Sequence, residues 1–144
     1  MEYFGLIDKL RDYCTEHNWI FIYGNEAFAN YSIDQNKIYP EQRVLVADFT
    51  CLPTIEGSKI QSMTYNGVMM LGQKKEYITD SNLNESPIQK YDTRLKELSQ
   101  LLTMAIGQIS CENEMEVSNL NLKYDLNKFD MNVDFVACSL NFIQ

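Results

Sequence analysis

Histidine appears only once in this sequence, at His17, and tryptophan once, at Trp19. A Ser–His or Cys–His catalyst would therefore have to use His17. No two of the four cysteines, Cys14, Cys51, Cys111 and Cys138, form a CxxC pair, so the paired ligand spacing of a zinc site is missing. Free, mostly buried thiols of an intracellular protein are the expectation, and two disulfides are the alternative. The six glycines never cluster, and Gly67 and Gly72 stand alone, so no phosphate-cradling loop is present. No cofactor and no metal site is expected. No run of about 18 apolar residues occurs, and the opening MEYFGLIDKL lacks the basic start and apolar core of a signal peptide. Synthesis in the cytoplasm without a membrane anchor is the expectation. Positive charge is also scarce: 12 Lys and Arg stand against 20 Asp and Glu, a formal charge of -8. With no basic run, tight nucleic-acid binding is excluded.

Core-forming residues, by contrast, are plentiful. Apolar residues make up 45% of the chain and aromatics 12%, too many for a disordered protein. A chain of 144 residues can bury one sizeable core, which predicts a single α+β domain over 1–144. Tyr3, Phe4, Leu6, Ile7, Leu10, Tyr13 and Cys14 recur at spacings of three and four, an amphipathic helix. Trp19 to Tyr23 reads as a short strand ending in the Gly24-Asn25 turn, and EAFANYSIDQNKIYP as an irregular connection.

RVLVADFTCL, residues 43–52, reads as a strand apolar on both faces, and Pro53 and Gly57 bracket a turn. A second long strand follows, interrupted at Asn66-Gly67 by a tight turn or a bulge, so a long hairpin is predicted over 43–77. Ser86-Pro87 supplies a helix cap with proline at the first helical position. Ile88, Tyr91, Leu95, Leu98, Leu102, Ala105 and Ile109 then step by three and four, predicting one long helix lying across the sheet. Leu120, Leu122, Tyr124 and Leu126 alternate with polar residues, and NKFD turns the chain into a return strand. Its apolar phase shifts from Met131, Val133 and Phe135 to Val136, Cys138, Leu140 and Phe142, which predicts a bulge or a change of packing environment at Phe135–Val136.

Candidate chemistry is sparse. Cys14 and His17 lie three apart near a helix end, where a core-facing thiol beside an exposed histidine is the common arrangement. DSNLNES begins like a calcium loop but carries Glu85 at the turn-glycine position and Tyr91 where the bidentate glutamate belongs. Glu112, Glu114 and Glu116 are expected on one strand face, as a charged edge that blocks strand pairing. Glu26, Asp48 and Glu56 are the remaining carboxylates of interest, with Asp48 expected to be partly buried. No catalytic residues are assigned.

A short N-terminal helix, FIYGNEAFANY, YPEQRVLVADF, YNGVMMLGQK, a helix and the hairpin LKYDLNKFDMNVDFVACSLNFI follow one another in this order. The series resembles small head-to-tail connector, tail-completion and tail-terminator proteins of tailed bacteriophages and prophages, especially of Bacteroides-type hosts and crAss-like phages. The resemblance implies an α+β virion subunit, made in the host bacterial cytoplasm. It implies a homomeric ring in the neck or tail, hexameric in terminators and often twelvefold in connectors. Its partners would be copies of itself and neighbouring portal, neck or tail proteins, with DNA passing non-specifically through the channel. Lining of the lumen by the long hairpin, or strand addition by it to a neighbouring subunit, makes Tyr65, Asn66, Gly67, Val68, Met69 and Met70 interface candidates. Val136, Cys138, Leu140 and Phe142 are the others, facing the long helix or a neighbour. The alternatives are a small cytoplasmic ligand-binding or enzymatic domain, or an adaptor binding a partner through helix 87–109.

Overall fold

Five stretches of alternating or doubly apolar sequence join into one sheet, and two helices cover one of its faces. The computed structural model describes residues 5–25, 28–29, 42–73, 86–128 and 133–144. Helix α1 (Leu6–Glu16) precedes strands β1 (Ile20–Tyr23), β2 (Val44–Glu56) and β3 (Lys59–Gln73). A long helix, α2, follows in three stretches: α-helical Pro87–Lys90, π-helical Tyr91–Leu95 and α-helical Lys96–Glu112. Strands β4 (Glu116–Lys128) and β5 (Val133–Ile143) complete the order. The sheet runs β1-β2-β3-β5-β4, with β1 parallel to β2 and every other pair antiparallel. This is the expected single α+β domain, with its long hairpin and one long helix packed on the sheet.

On the helix face, Leu45, Ala47 and Phe49 of β2 and Tyr65, Met69 and Leu71 of β3 join Val136, Cys138, Leu140 and Phe142 of β5. Leu6, Leu10, Tyr13 and Cys14 of α1 and Leu95, Leu98, Leu102, Ala105 and Ile109 of α2 pack on them. The opposite face holds a second buried cluster, made by Ile22, Val44, Val46, Met70, Val133, Phe135 and Ala137 together with Ala29. Burial on both faces explains the doubly apolar run of β2.

It also removes the need for a bulge at Phe135–Val136. The β3–β5 register is unbroken from Gln73↔Asp134 to Thr64↔Ile143. Both apolar phases exist because Phe135 and Ala137 face one cluster and Val136 and Cys138 the other. The irregularities fall on β4, between Ser118 and Asn121 and between Asp125 and Lys128. Asn119, in the first of them, has φ 54°.

Asn66-Gly67 likewise neither turns nor bulges. It pairs in register with Phe49 and Thr50, and the shift in this hairpin lies at Thr54/Ile55. Glycine is required at 67 because a Cβ there would run into the Asp48 backbone and the Phe49 ring. The turn is at Gly57, with φ 65°. Pro53 stays inside β2, past Ala47 where β1 ends, so β2 is an edge there and a missing donor is tolerated.

The cap of α2 forms as predicted: Gln89 N donates to Ser86 Oγ at 3.3 Å and Ser86 N to Gln89 Oε1 at 2.8 Å. The apolar stripe starts later than predicted, with Leu95 the first heptad residue fully buried and Ile88 exposed. The π turn changes the helical phase between them. The helix also runs on to Glu112, so Glu112 ends a helix, Glu114 sits in a turn at φ 54° and Glu116 opens β4, rather than all three sharing a strand face. Most of DSNLNES, along with Glu26 and Met131, lies outside the described residues.

Candidate functional site

The residues singled out for chemistry do not converge. Cys14 is fully buried, and burial pushes its thiol up to about 12. The His17 ring stacks on Tyr13 with centroids 4.0 Å apart, and its Nδ1 lies 2.9 Å from the Tyr13 carbonyl. The thiol thus holds its proton in the core while the imidazole covers the helix end. Cys138 is likewise pushed up to about 12 by burial, and all four cysteines are free. Asp48 is half-buried on the face away from the helices and Glu56 is exposed. Eight positions apart on one extended strand, the two carboxylates are separated by roughly 26 Å, too far to act as a pair. Among the described residues, no group of three His, Cys, Asp or Glu is placed to hold a metal, and no helix is long and apolar enough to cross a membrane.

One charged cluster, invisible to the sequence reading, is fully buried. Lys90 Nζ lies 2.9 Å from Asp134 Oδ1, and Arg94 Nη2 lies 2.6 Å from Asp134 Oδ2. The π turn brings this about, because the phase it sets points Lys90 and Arg94 inward ahead of the leucine stripe. Beside it, Arg43 bridges β3 and α2, with Nε donating to Gln73 Oε1 at 3.2 Å and Nη2 to Glu97 at 3.0 Å. A buried carboxylate between two cations ties α2 to β5, and removing one partner would leave uncompensated buried charge. The only advance signal was an Asp in an otherwise apolar strand.

The interface candidates are split by burial. Tyr65, Met69, Met70, Val136, Cys138, Leu140 and Phe142 are buried within the chain, Asn66 and Gly67 are half-buried, and Val68 is exposed. The helix stripe from Leu95 to Ile109 is likewise spent on the chain's own sheet.

Two other surfaces are available. The first is the distal part of the β2–β3 hairpin. Gln144 makes the last outer pair, with Met63, and beyond it the hairpin continues to Gly57 with no described strand on either side. Every β2 residue from Thr50 to Glu56 is exposed, including Leu52 at 46% and Ile55 at 63%. A two-stranded ribbon standing off a sheet is marginal by itself. The second is β4, a 13-residue outer strand with Leu120, Leu122 and Tyr124 all exposed. The opposite face near it carries a shallow depression of about 280 Å³, floored by Val68, Met70 and Ala137 and rimmed by Asn121, Lys123 and Asp125. Cys138 and Ser139 also line it.

No family model matches this chain, and no curated protein matches it significantly.

Proposed function

We propose that this chain is a structural virion protein forming a homomeric ring in the neck or tail of a tailed phage, joining the portal and head to the tail around the DNA channel. The observation that carries this reading is the hairpin arm. Beyond the Pro53↔Met63 pair the hairpin continues as a two-stranded projection, and Ile55 on it and Leu52 at its root are exposed apolar side chains that a neighbouring subunit would bury. Strand addition or a clasp across a subunit boundary is the chemistry such an arm offers. The net charge of -8 suits a channel wall along which DNA slides, because like charge suppresses phosphate contacts.

The competing small-ligand reading rests on the depression beside β4. Its volume of about 280 Å³ lies just below the usual ligand-pocket range of roughly 300–1,000 Å³, and its titratable lining is the Lys123–Asp125 ion pair and the Cys138 thiol, which burial keeps protonated.

Native mass spectrometry of the full chain, alone and mixed with the products of neighbouring genes, separates the two. The ring reading expects a discrete closed oligomer of more than two subunits in one of these conditions. Replacing Thr54–Ser62 by a two-residue Asn-Gly turn, which closes on the native Pro53↔Met63 pair, should leave the melting transition in place and abolish that oligomer. A chain that stays monomeric in every mixture, or an armless variant that still closes, overturns it.

A further inference from the structure

The outer edge of β4, unpaired by any described strand, carries two lysines and two irregularities and still keeps a stretch that can pair. Natural edge strands are kept short or carry proline, lysine or bulges that spoil pairing. At 13 residues β4 is long, and it contains no proline. Its two irregularities, at Ser118/Asn121 and Asp125/Lys128, leave a regular segment between them, Asn121 to Asp125. Within that segment Leu122 and Tyr124 point to the helix face, opposite Cys138 and Val136, while Asn121, Lys123 and Asp125 point to the other, opposite Ser139, Ala137 and Phe135. Leu122 is 46% and Tyr124 47% exposed.

We propose that β4 is a self-recognition edge, which pairs antiparallel with β4 of a second copy about a twofold axis at Tyr124. The sequence of the edge selects this partner and this register. A twofold axis normal to the sheet keeps like faces together, so it must pass through a residue. Centred on Tyr124, it sets Lys123 of each copy opposite Asp125 of the other on one face, and Leu122 opposite Leu126, the first residue past the regular segment, on the helix face. Charge meets opposite charge and leucine meets leucine, with the two Tyr124 rings at the axis. Shifting the axis to Lys123 or to Asp125 puts like charges directly opposite each other. Shifting it to Leu122 leaves both charges facing asparagine. Lys123 Nζ already lies 3.6 Å from Asp125 Oδ1 within one chain, so in the pair the same groups form an alternating four-charge row along the joined sheet. The result is one ten-stranded sheet made from two five-stranded ones.

This pairing is separate from the arm and does not rest on the ring reading. Removing the arm leaves it intact, and blocking β4 leaves the arm free to act.

Cysteine crosslinking reads the register. In a Cys51→Ser, Cys111→Ser background, Tyr124→Cys should give a covalent dimer with mild oxidant, because the residue on the axis meets itself. Leu122→Cys alone should stay uncrosslinked, whereas Leu122→Cys combined with Leu126→Cys should crosslink. Charge is read by sedimentation equilibrium on the otherwise native chain, with the melting curve as control for folding. Lys123→Asp should weaken the dimer at least tenfold, and Lys123→Asp with Asp125→Lys should restore it. A native chain that is monomeric at all concentrations, equal crosslinking at 122 and 124, or a double swap that fails to restore pairing overturns the proposal.

Discussion

The two ends of the β2–β3 hairpin differ in almost every physical respect although the same strands run through both. At the base, Val44 to Ala47 are buried on both faces, and Leu71, Gly72 and Gln73 are buried opposite them. At the tip, Thr50 to Glu56 are exposed throughout. Each residue at the base has helices on one side, the second cluster on the other, and a strand at either hand. Toward the tip β2 has no described strand on its outer side, and β3 loses its own outer partner beyond Met63. The strand pairing thus continues past the last residue that β5 covers.

The largest effect should come where the base is locked by charge. Asp134→Ala leaves Lys90 and Arg94 buried without their shared carboxylate, and should cost about 3–5 kcal/mol in urea unfolding. Replacing all three by apolar residues of similar volume, Lys90→Met, Arg94→Met and Asp134→Leu, should recover most of that loss, because desolvation of the ions is then avoided. Failure of the triple variant to recover would mean that the ions, and not the packing, hold α2 in place. Next in size, Leu71→Ala opens a cavity between β3 and the helices and should cost about 2–5 kcal/mol. Both losses belong to the base.

Much of this contrast was legible in the sequence, and the missing parts have physical causes. Strand and helix identities follow from periodicity, and the capping box at Ser86 was visible as Ser-Pro before an apolar stripe. The buried charges were not, because a π turn shifts helical phase without a sequence signature, and the heptad read through it as if it were straight. The apparent slip at Phe135–Val136 was a real signal with a different cause: a strand covered on both faces shows both phases at once. Asn66-Gly67 has the composition of a turn, but an aromatic ring packed over a glycine inside a sheet demands the same residue. The interface candidates were chosen for apolarity, which the core claims first; Leu52 was read only as the end of the strand 43–52, and Ile55 stood unnoticed between Pro53 and Gly57 because that stretch read as a turn.

Where the two ends meet, Gly67 offers an intermediate test. Gly67→Val drives side-chain atoms into the Phe49 ring and the Asp48 backbone and should cost about 1–3 kcal/mol, visible as a lowered urea midpoint with an unchanged slope. An unchanged midpoint would show that β3 can move away from β2 here, and that the base does not extend as far as Phe49.

The smallest stability effect should come at the tip. Ile55 is 63% exposed, sits at the register shift of the hairpin and has no described strand beyond its partner Ile60. Ile55→Ser should therefore change the stability of the isolated chain by no more than about 0.5 kcal/mol, against the several lost at Leu71. Assembly should respond in the opposite order. If a neighbouring subunit covers Ile55, the contact is worth about 1.5–3 kcal/mol per side chain, so the serine variant should weaken subunit association by roughly 10- to 150-fold at unchanged melting temperature. A drop in melting temperature as large as that of Leu71→Ala would place Ile55 within the fold of one chain and end the contrast between base and tip. An unaffected oligomer would leave the arm without a partner and remove the observation on which the ring reading stands.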